Sequence, residues 1–185
     1  MTLSAPFVPE VISLLSIQLA AFQALLLAAS AVHKLIGRRR ARTVAQEFAG
    51  VTPSLAGVVV IAVAMAELAA AVCSWIPSCR AAGAVLAALI WGGYLSLLLR
   101  AIAAGRRDVD CGCSFGATRR PLGVFQVVRN LVLIGIAVAV GLLSANGAAA
   151  PVMGSQALAA IALLALYGAL DQVMALTPLR SGEVL

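Results

Sequence analysis

The sequence predicts an all-α fold, a polytopic bundle of membrane-spanning helices, and three observations lead there. Of 185 residues, 63% are hydrophobic and 11% charged, and the mean hydropathy is +1.06. A soluble domain carries about a quarter charged residues and about half apolar ones. An 18.8 kDa globule of this composition has too little polar surface to cover its apolar excess. The apolar residues also gather in runs of the length that crosses a hydrocarbon core, about 20 residues. Finally, the cations sit between those runs and almost all on one side of them. A soluble enzyme, a disordered chain and a small secreted disulfide scaffold are excluded together.

Five spans follow in order. The first covers 11–36 and is stopped by Gly37 and the run Arg38-Arg39-Arg40. Residues 1–9 ahead of it hold no Lys or Arg for the positive region of a signal peptide, so none is expected. The second, 55–76, is opened by Pro53 and ended by Pro77, just beyond the interfacial residue type Trp75. The third covers 81–103. The fourth, 122–144, begins behind Pro121, whose missing N–H costs nothing in a first turn. Asn146-Gly147 and Pro151 separate it from the fifth, 155–176. Leu, Ala and Val fill the spans without the period-two polar alternation of a barrel strand. Five helices leave no room for a second core, so residues 1–185 are expected to form one domain. Alanines throughout the spans, with Gly92-Gly93, Gly135 and Gly141, allow the close helix approach by which helices associate inside a bilayer. No internal repeat supports an inverted-repeat transporter.

Orientation follows from the cations. With the N-terminus outside, the inner side holds Lys34, Arg38, Arg39, Arg40, Arg42, Arg100, Arg106, Arg107, Arg119, Arg120, Arg129 and Arg180, and the outer side Arg80 alone. The positive-inside rule then places the C-terminus in the cytoplasm. The arginines of the first inner loop are explained by topology and by anionic lipid, which attracts each with about 1 kcal/mol. The net charge of +6 therefore calls for no nucleic-acid partner.

The four cysteines form two pairs. Cys111 and Cys113 lie in Asp108-Val109-Asp110-Cys111-Gly112-Cys113-Ser114-Phe115-Gly116, in the inner loop before the fourth span. A disulfide between them closes a very small ring, which strains the bond and makes it easy to reduce. Gly112 supplies the backbone freedom that such a ring demands. The pair reads as a reactive redox couple rather than a staple. Metal is the weaker branch, since a closed zinc site needs four ligands and His33 is the single histidine. Cys73 and Cys79 bracket the short outer turn on the oxidising side, as a second couple or a structural disulfide. Thiol–disulfide exchange needs sulfurs in contact, and the two pairs are expected at opposite faces of a core about 30 Å thick. A loop re-entering the bundle, a quinone carrying electrons, or helices alternating access would each connect them.

Charges inside the spans are the remaining candidates. Glu67 lies mid-span, where a carboxylate must face the bundle interior and pair or be protonated. Arg129, about two turns into the fourth span, is its expected partner by depth, unless it snorkels to the interface. Proton handling, a bound polar ligand and a purely structural hydrogen bond are all open for Glu67. His33 and Lys34 suit the C-terminal dipole of the first helix. Asn130, Gln18 and Gln23 are expected to tie helices together, and Asp171 to reach water or an Arg.

Taken together, Ser30-Ala31-Val32-His33-Lys34-Leu35 closing the first span, Glu67 in the second, Asp110-Cys111-Gly112-Cys113 before the fourth and Arg129-Asn130 within it resemble the MauE family, within the broader DoxX-like group. The resemblance covers roughly residues 20–145. It implies a four-helix core with an added C-terminal helix in a bacterial inner membrane. It further implies a redox-associated partner of a thioredoxin-fold protein, supporting disulfide formation in a methylamine dehydrogenase subunit. The family element reads Cys-Gly-Cys-Phe-Gly, whereas here Ser114 intervenes before Phe115-Gly116. The alternatives are a non-catalytic accessory or scaffold subunit of a larger membrane complex, and a small-molecule or ion carrier built on Glu67.

Overall fold

The computed structural model describes residues 7–106, 123–145, 152 and 154–176. Among them the regular structure is helical: α1 (Phe7–Ile36), α2 (Arg38–Ala49), α3 (Pro53–Trp75), α4 (Arg80–Ala103), α5 (Val124–Ala145) and α6 (Gly154–Leu176), with a single 3-10 turn, Pro77–Cys79, between α3 and α4. Five of the six are long and apolar enough to cross a membrane. Pro53 stands in the first turn of α3, and α3 ends at Trp75, two residues ahead of Pro77. Both limits agree with the sequence expectation.

The helix α2 was not expected. α1 ends at Ile36 with Gly37 out of helical geometry (ψ 36°), as expected, but the chain resumes at once: the Gly37 N–H bonds the His33 carbonyl at 2.9 Å, and its own carbonyl accepts from Ala41 at 3.0 Å. The arginine-rich stretch therefore continues as a short amphipathic helix, with Phe48 buried and Arg38, Arg39 and Arg42 exposed. It ends at Gly50, whose left-handed backbone (φ 66°) is the usual glycine terminator.

α1 is the central post of the bundle. It packs against α3, α5 and α6, and α4 packs between α3 and α5. The main core joins Phe22, Leu26 and Leu27 of α1 to Ala70 and Ala71 of α3, and to Trp91 of α4. Leu133 and Ala137 of α5 complete it, and Phe22 meets Tyr167 of α6 edge-on at 6.2 Å. A smaller cluster, Phe48 with Leu98 and Ala101, fastens α2 to α4. Many large apolar side chains, such as Val58, Leu89, Leu158 and Leu166, face outward, as lipid contact requires.

Small residues matter at positions other than those expected. A Cβ on Gly83 would lie 2.6 Å from the Ser74 nitrogen, so α4 touches α3 backbone to backbone there. On Gly57 it would meet the Arg42 guanidinium of α2 at 3.1 Å. Gly92, Gly93 and Gly135 face open space, and Gly141 makes an ordinary contact with Ala84. Of these four only Gly141 meets a neighbouring helix, and the tightest backbone approach is at Gly83.

Candidate functional site

The site is assembled on the seam between α1 and α3. Antiparallel helices that keep a constant register meet again about every seven residues. Here Gln23 and Ser30 of α1 face Ser74 and Glu67 of α3, with Gln23 Nε2 donating to Ser74 Oγ at 2.8 Å and Ser30 Oγ to Glu67 Oε1 at 3.0 Å. All four are polar residues in the apolar part of the bundle, and Gln23, Glu67 and Ser74 are wholly buried. The pairing satisfies groups that lipid could not.

Glu67 is the centre. Lys34 Nζ donates to both its oxygens, at 2.8 and 3.1 Å, and also to Ser30 Oγ at 2.7 Å. The Tyr94 phenol of α4 donates to Glu67 Oε1 at 2.7 Å, and its ring lies 5.3 Å from the Lys34 ammonium. The α3 carboxylate thus takes hydrogen bonds from side chains of two neighbouring helices, α1 and α4. A buried charge is tolerated only with such pairing.

This corrects one expectation. Glu67 does not pair with Arg129: its ion pair is with Lys34. Lys34 stands in the last turn of α1, as expected, with its side chain 13% exposed. Its stem reaches back along α1, and by i, i+4 spacing it shares a face with Ser30. Arg129 of α5 instead pairs with Asp171 of α6 at 3.2 Å, and both are buried. One of the two outcomes foreseen for Asp171 is therefore met. Asn130 bonds the Gln126 carbonyl of its own helix rather than a neighbour. Gln18 does tie helices: its amide faces Gln156 and Ala160 of α6.

Below Glu67 a cavity of about 160 Å³ opens between α1, α2, α3, α4 and α5. Val44 and Phe48 of α2, Val60 and Val63 of α3, and Leu97 and Leu98 of α4 form its apolar walls. Lys34, Arg40 and Tyr94 also line it, as do His33, Gln126, Arg129 and Asn130. Sequence reading missed the cavity because its outer wall is α2. The signal was present in Ala41, Val44, Ala45 and Phe48, an apolar stripe at helical spacing among charged residues.

Cys111 and Cys113 lie outside the described residues. The described chain on either side of them meets two helices that line the cavity, α2 and α5. Arg106 Nη1 donates to the Glu47 carbonyl of α2 at 2.8 Å, and Gly123 N–H donates to Gln126 Oε1 at 2.9 Å. Cys73 and Cys79 are at the other end of α3, as unbridged thiols close enough to interact. Cys79 Sγ points to the Cys73 and Ile76 carbonyls at 3.5 and 3.8 Å. Beside them Arg80, wholly buried, donates from Nε to the Ser74 carbonyl at 3.1 Å.

Five membrane-crossing helices around a buried Lys–Glu–Tyr cluster define a polytopic membrane protein with a polar centre. The family model for the methylamine utilisation protein MauE matches residues 11–144. The chain is 34% identical over 145 residues to "Methylamine utilization protein MauE" of Paracoccus denitrificans, covering 78% of this chain and 75% of that one. It is 33% identical over 127 residues to the protein of the same name from Methylophilus methylotrophus, covering 62% and 61%. The chain belongs to the MauE family. No solved structure matches it.

Proposed function

We propose that this protein supports thiol–disulfide exchange in methylamine utilisation, with Cys111 and Cys113 as the redox couple and a thioredoxin-fold protein as partner. The observation that carries the reading is that the chain leading to Cys111-Gly112-Cys113 is tied by Arg106 to α2 and the chain leaving it runs into Gln126 of α5, both helices lining a cavity beside the Lys34–Glu67 pair. A strained two-residue disulfide is a good oxidant because its opening releases strain. The names of the two relatives support the pathway. The cation distribution supports an inner-membrane protein with its N-terminus outside and this couple on the cytoplasmic side. The chain folds as one domain on this reading. Cys73 and Cys79, adjacent thiols at the far end, are a second couple.

The test is to trap mixed disulfides in cells with Cys111→Ser and Cys113→Ser variants. The single variants are expected to accumulate a partner of thioredoxin fold, and the double variant none. A double variant that matures its substrate like the wild type would return the protein to the class of non-catalytic accessory subunits.

A further inference from the structure

We propose that the cavity beside the Lys34–Glu67 pair takes one acyl chain of an anionic phospholipid, whose phosphate is held by the arginines of α2. The inference does not rest on the thiol–disulfide reading. It also goes beyond a diffuse attraction between cations and an anionic surface, because it names one saturable site.

The lining sets the sign of the ligand. Three cations reach the cavity, Lys34 of α1, Arg40 of α2 and Arg129 of α5, and among the described residues no Asp or Glu does. His33, Tyr94, Gln126 and Asn130 complete its polar lining and bring no negative charge. The two buried acids nearby stand behind their cations: Glu67 pairs with Lys34 and Asp171 with Arg129, and neither lines the cavity. Each ion pair therefore turns its positive end inward. A positive field in a water-poor site favours an anion.

The deep end supplies that field without supplying bonds. The Lys34 ammonium is spent on both Glu67 oxygens and on Ser30, and the Tyr94 hydroxyl on Glu67. The Asn130 amide donates to the Gln126 carbonyl. What fills this end is therefore the apolar part of the ligand. Val44 and Phe48 of α2, Val60 and Val63 of α3, and Leu97 and Leu98 of α4 suit it. A cavity of about 150 Å³ with such walls takes a six-carbon ring, and this one is about 160 Å³. It has room for about six carbons of a chain.

α2 joins the chain to its headgroup. Ala41, Val44, Ala45 and Phe48 of this helix line the cavity, while Arg38, Arg39 and Arg42 are exposed. Arg42 lies at the edge between α2 and α3, where a Cβ on Gly57 would meet its guanidinium at 3.1 Å. Val59 and Val60, two and three residues further along α3, line the cavity. Apolar walls and arginines are thus within one helical turn of each other. Basic pockets between membrane helices on the cytoplasmic side hold anionic headgroups, and the orientation proposed above puts this pocket on that side. A soluble anion lacks the body to fill the aliphatic walls, and a neutral lipid lacks the charge.

The experiment uses the full-length protein in lipid nanodiscs and a phosphatidylglycerol carrying a diazirine on one acyl chain. Label is expected on cavity residues of α2, α3 and α4, with unlabelled phosphatidylglycerol competing about tenfold better than phosphatidylcholine. Arg40→Gln and Arg42→Gln are each expected to weaken binding about fivefold, the worth of one arginine beside an anionic lipid. Val60→Phe, which fills the cavity and leaves the arginines in place, is expected to lower labelling by roughly tenfold. Ala45→Leu, from the α2 wall, serves the same purpose should Val60→Phe fail to fold. Label spread over the lipid-facing helices, or phosphatidylcholine competing equally well, would overturn the site. Oleate or decylubiquinone competing as well as phosphatidylglycerol would also overturn it, the first in favour of a free carboxylate and the second of an uncharged ring. The Cys111→Ser/Cys113→Ser double variant is expected to label like the wild type, so a failure of partner trapping is distinguishable from a failure of this site.

Discussion

The two ends of the α1–α3 seam are built from the same kind of contact and put to different uses. At the Cys73 end, Gln23, Ser74 and Arg80 meet through neutral hydrogen bonds and one guanidinium–carbonyl bond, and Gly83 brings two backbones into contact. At the α2 end, the tie is a Lys–Glu ion pair with a tyrosine over it, and a cavity lies beside it. One end is closed by packing. The other end carries charge next to empty space, an arrangement that packing alone would not favour. The comparison teaches that polar residues in a bundle act as anchors where backbones touch, and as a candidate site where they border a void.

The largest effect that could break this contrast is expected at the charged end. Lys34→Met leaves the buried Glu67 carboxylate without its cation, at a cost of about 3–5 kcal/mol. Changing both residues, Lys34→Met with Glu67→Gln, should recover most of that loss, because no unpaired charge remains and Ser30 and Tyr94 still donate. Unfolding of the purified protein in mixed micelles measures both. Equal destabilisation by the single and double variants would mean that the pair is held by packing and not by charge.

Next comes the closed end. Gly83→Val puts methyl groups where the Ser74 nitrogen and the Cys73 carbonyl carbon already lie within 2.9 Å. Neither atom can turn aside, so α4 must move away from α3, and overpacking of this kind costs about 1–3 kcal/mol. The same unfolding assay is expected to show the loss, with reaction of Cys73 and Cys79 toward a small maleimide speeding up as the seam opens. A variant as stable as the wild type would mean that the helices are not in backbone contact there.

Smaller again is Arg129→Gln. It removes the guanidinium paired with Asp171, a buried ion pair that lies outside the α1–α3 seam. A loss of about 1–3 kcal/mol is expected, with Asp171→Asn added to the variant restoring part of it. The double-mutant cycle against Lys34→Met should be near additive, because one ion pair joins α1 to α3 and the other α5 to α6.

Much of this architecture was legible in the chain. Apolar run length gave the five spans, and Pro53 and Pro77 their limits, because both signals are local. Gln23 and Gln18 could be read as helix ties for the same reason, a polar side chain in lipid having few choices. The pairing of Glu67 was not local. Depth alone made Arg129 its partner, whereas the register of α1 against α3 decides the matter. That register was encoded in the seven-residue spacing of Ser16, Gln23 and Ser30 on one helix and of Glu67 and Ser74 on the other. The amphipathic α2 was hidden by its arginines, whose topological meaning explained them without a helix. Backbone contact depends on which glycine faces a neighbour, and a sequence shows only which glycines exist.

The smallest expected effect has the opposite sign and tests that last point. Gly93 lies within α4, and a Cβ there meets nothing within 4 Å. A helical glycine with free space around it carries only the backbone entropy penalty, so Gly93→Ala should stabilise the protein by about 0.5–1 kcal/mol. Gly92→Ala is expected to behave alike, its Cβ position being equally open. The Ser96 hydroxyl donates to the Gly93 carbonyl at 2.8 Å, a bond to the backbone that alanine retains. If both variants are instead destabilised in the membrane of the cell but stabilised in micelles, another membrane protein occupies this face of α4. The accessory-subunit reading would then have its docking surface, at a place separate from the Glu67 cavity.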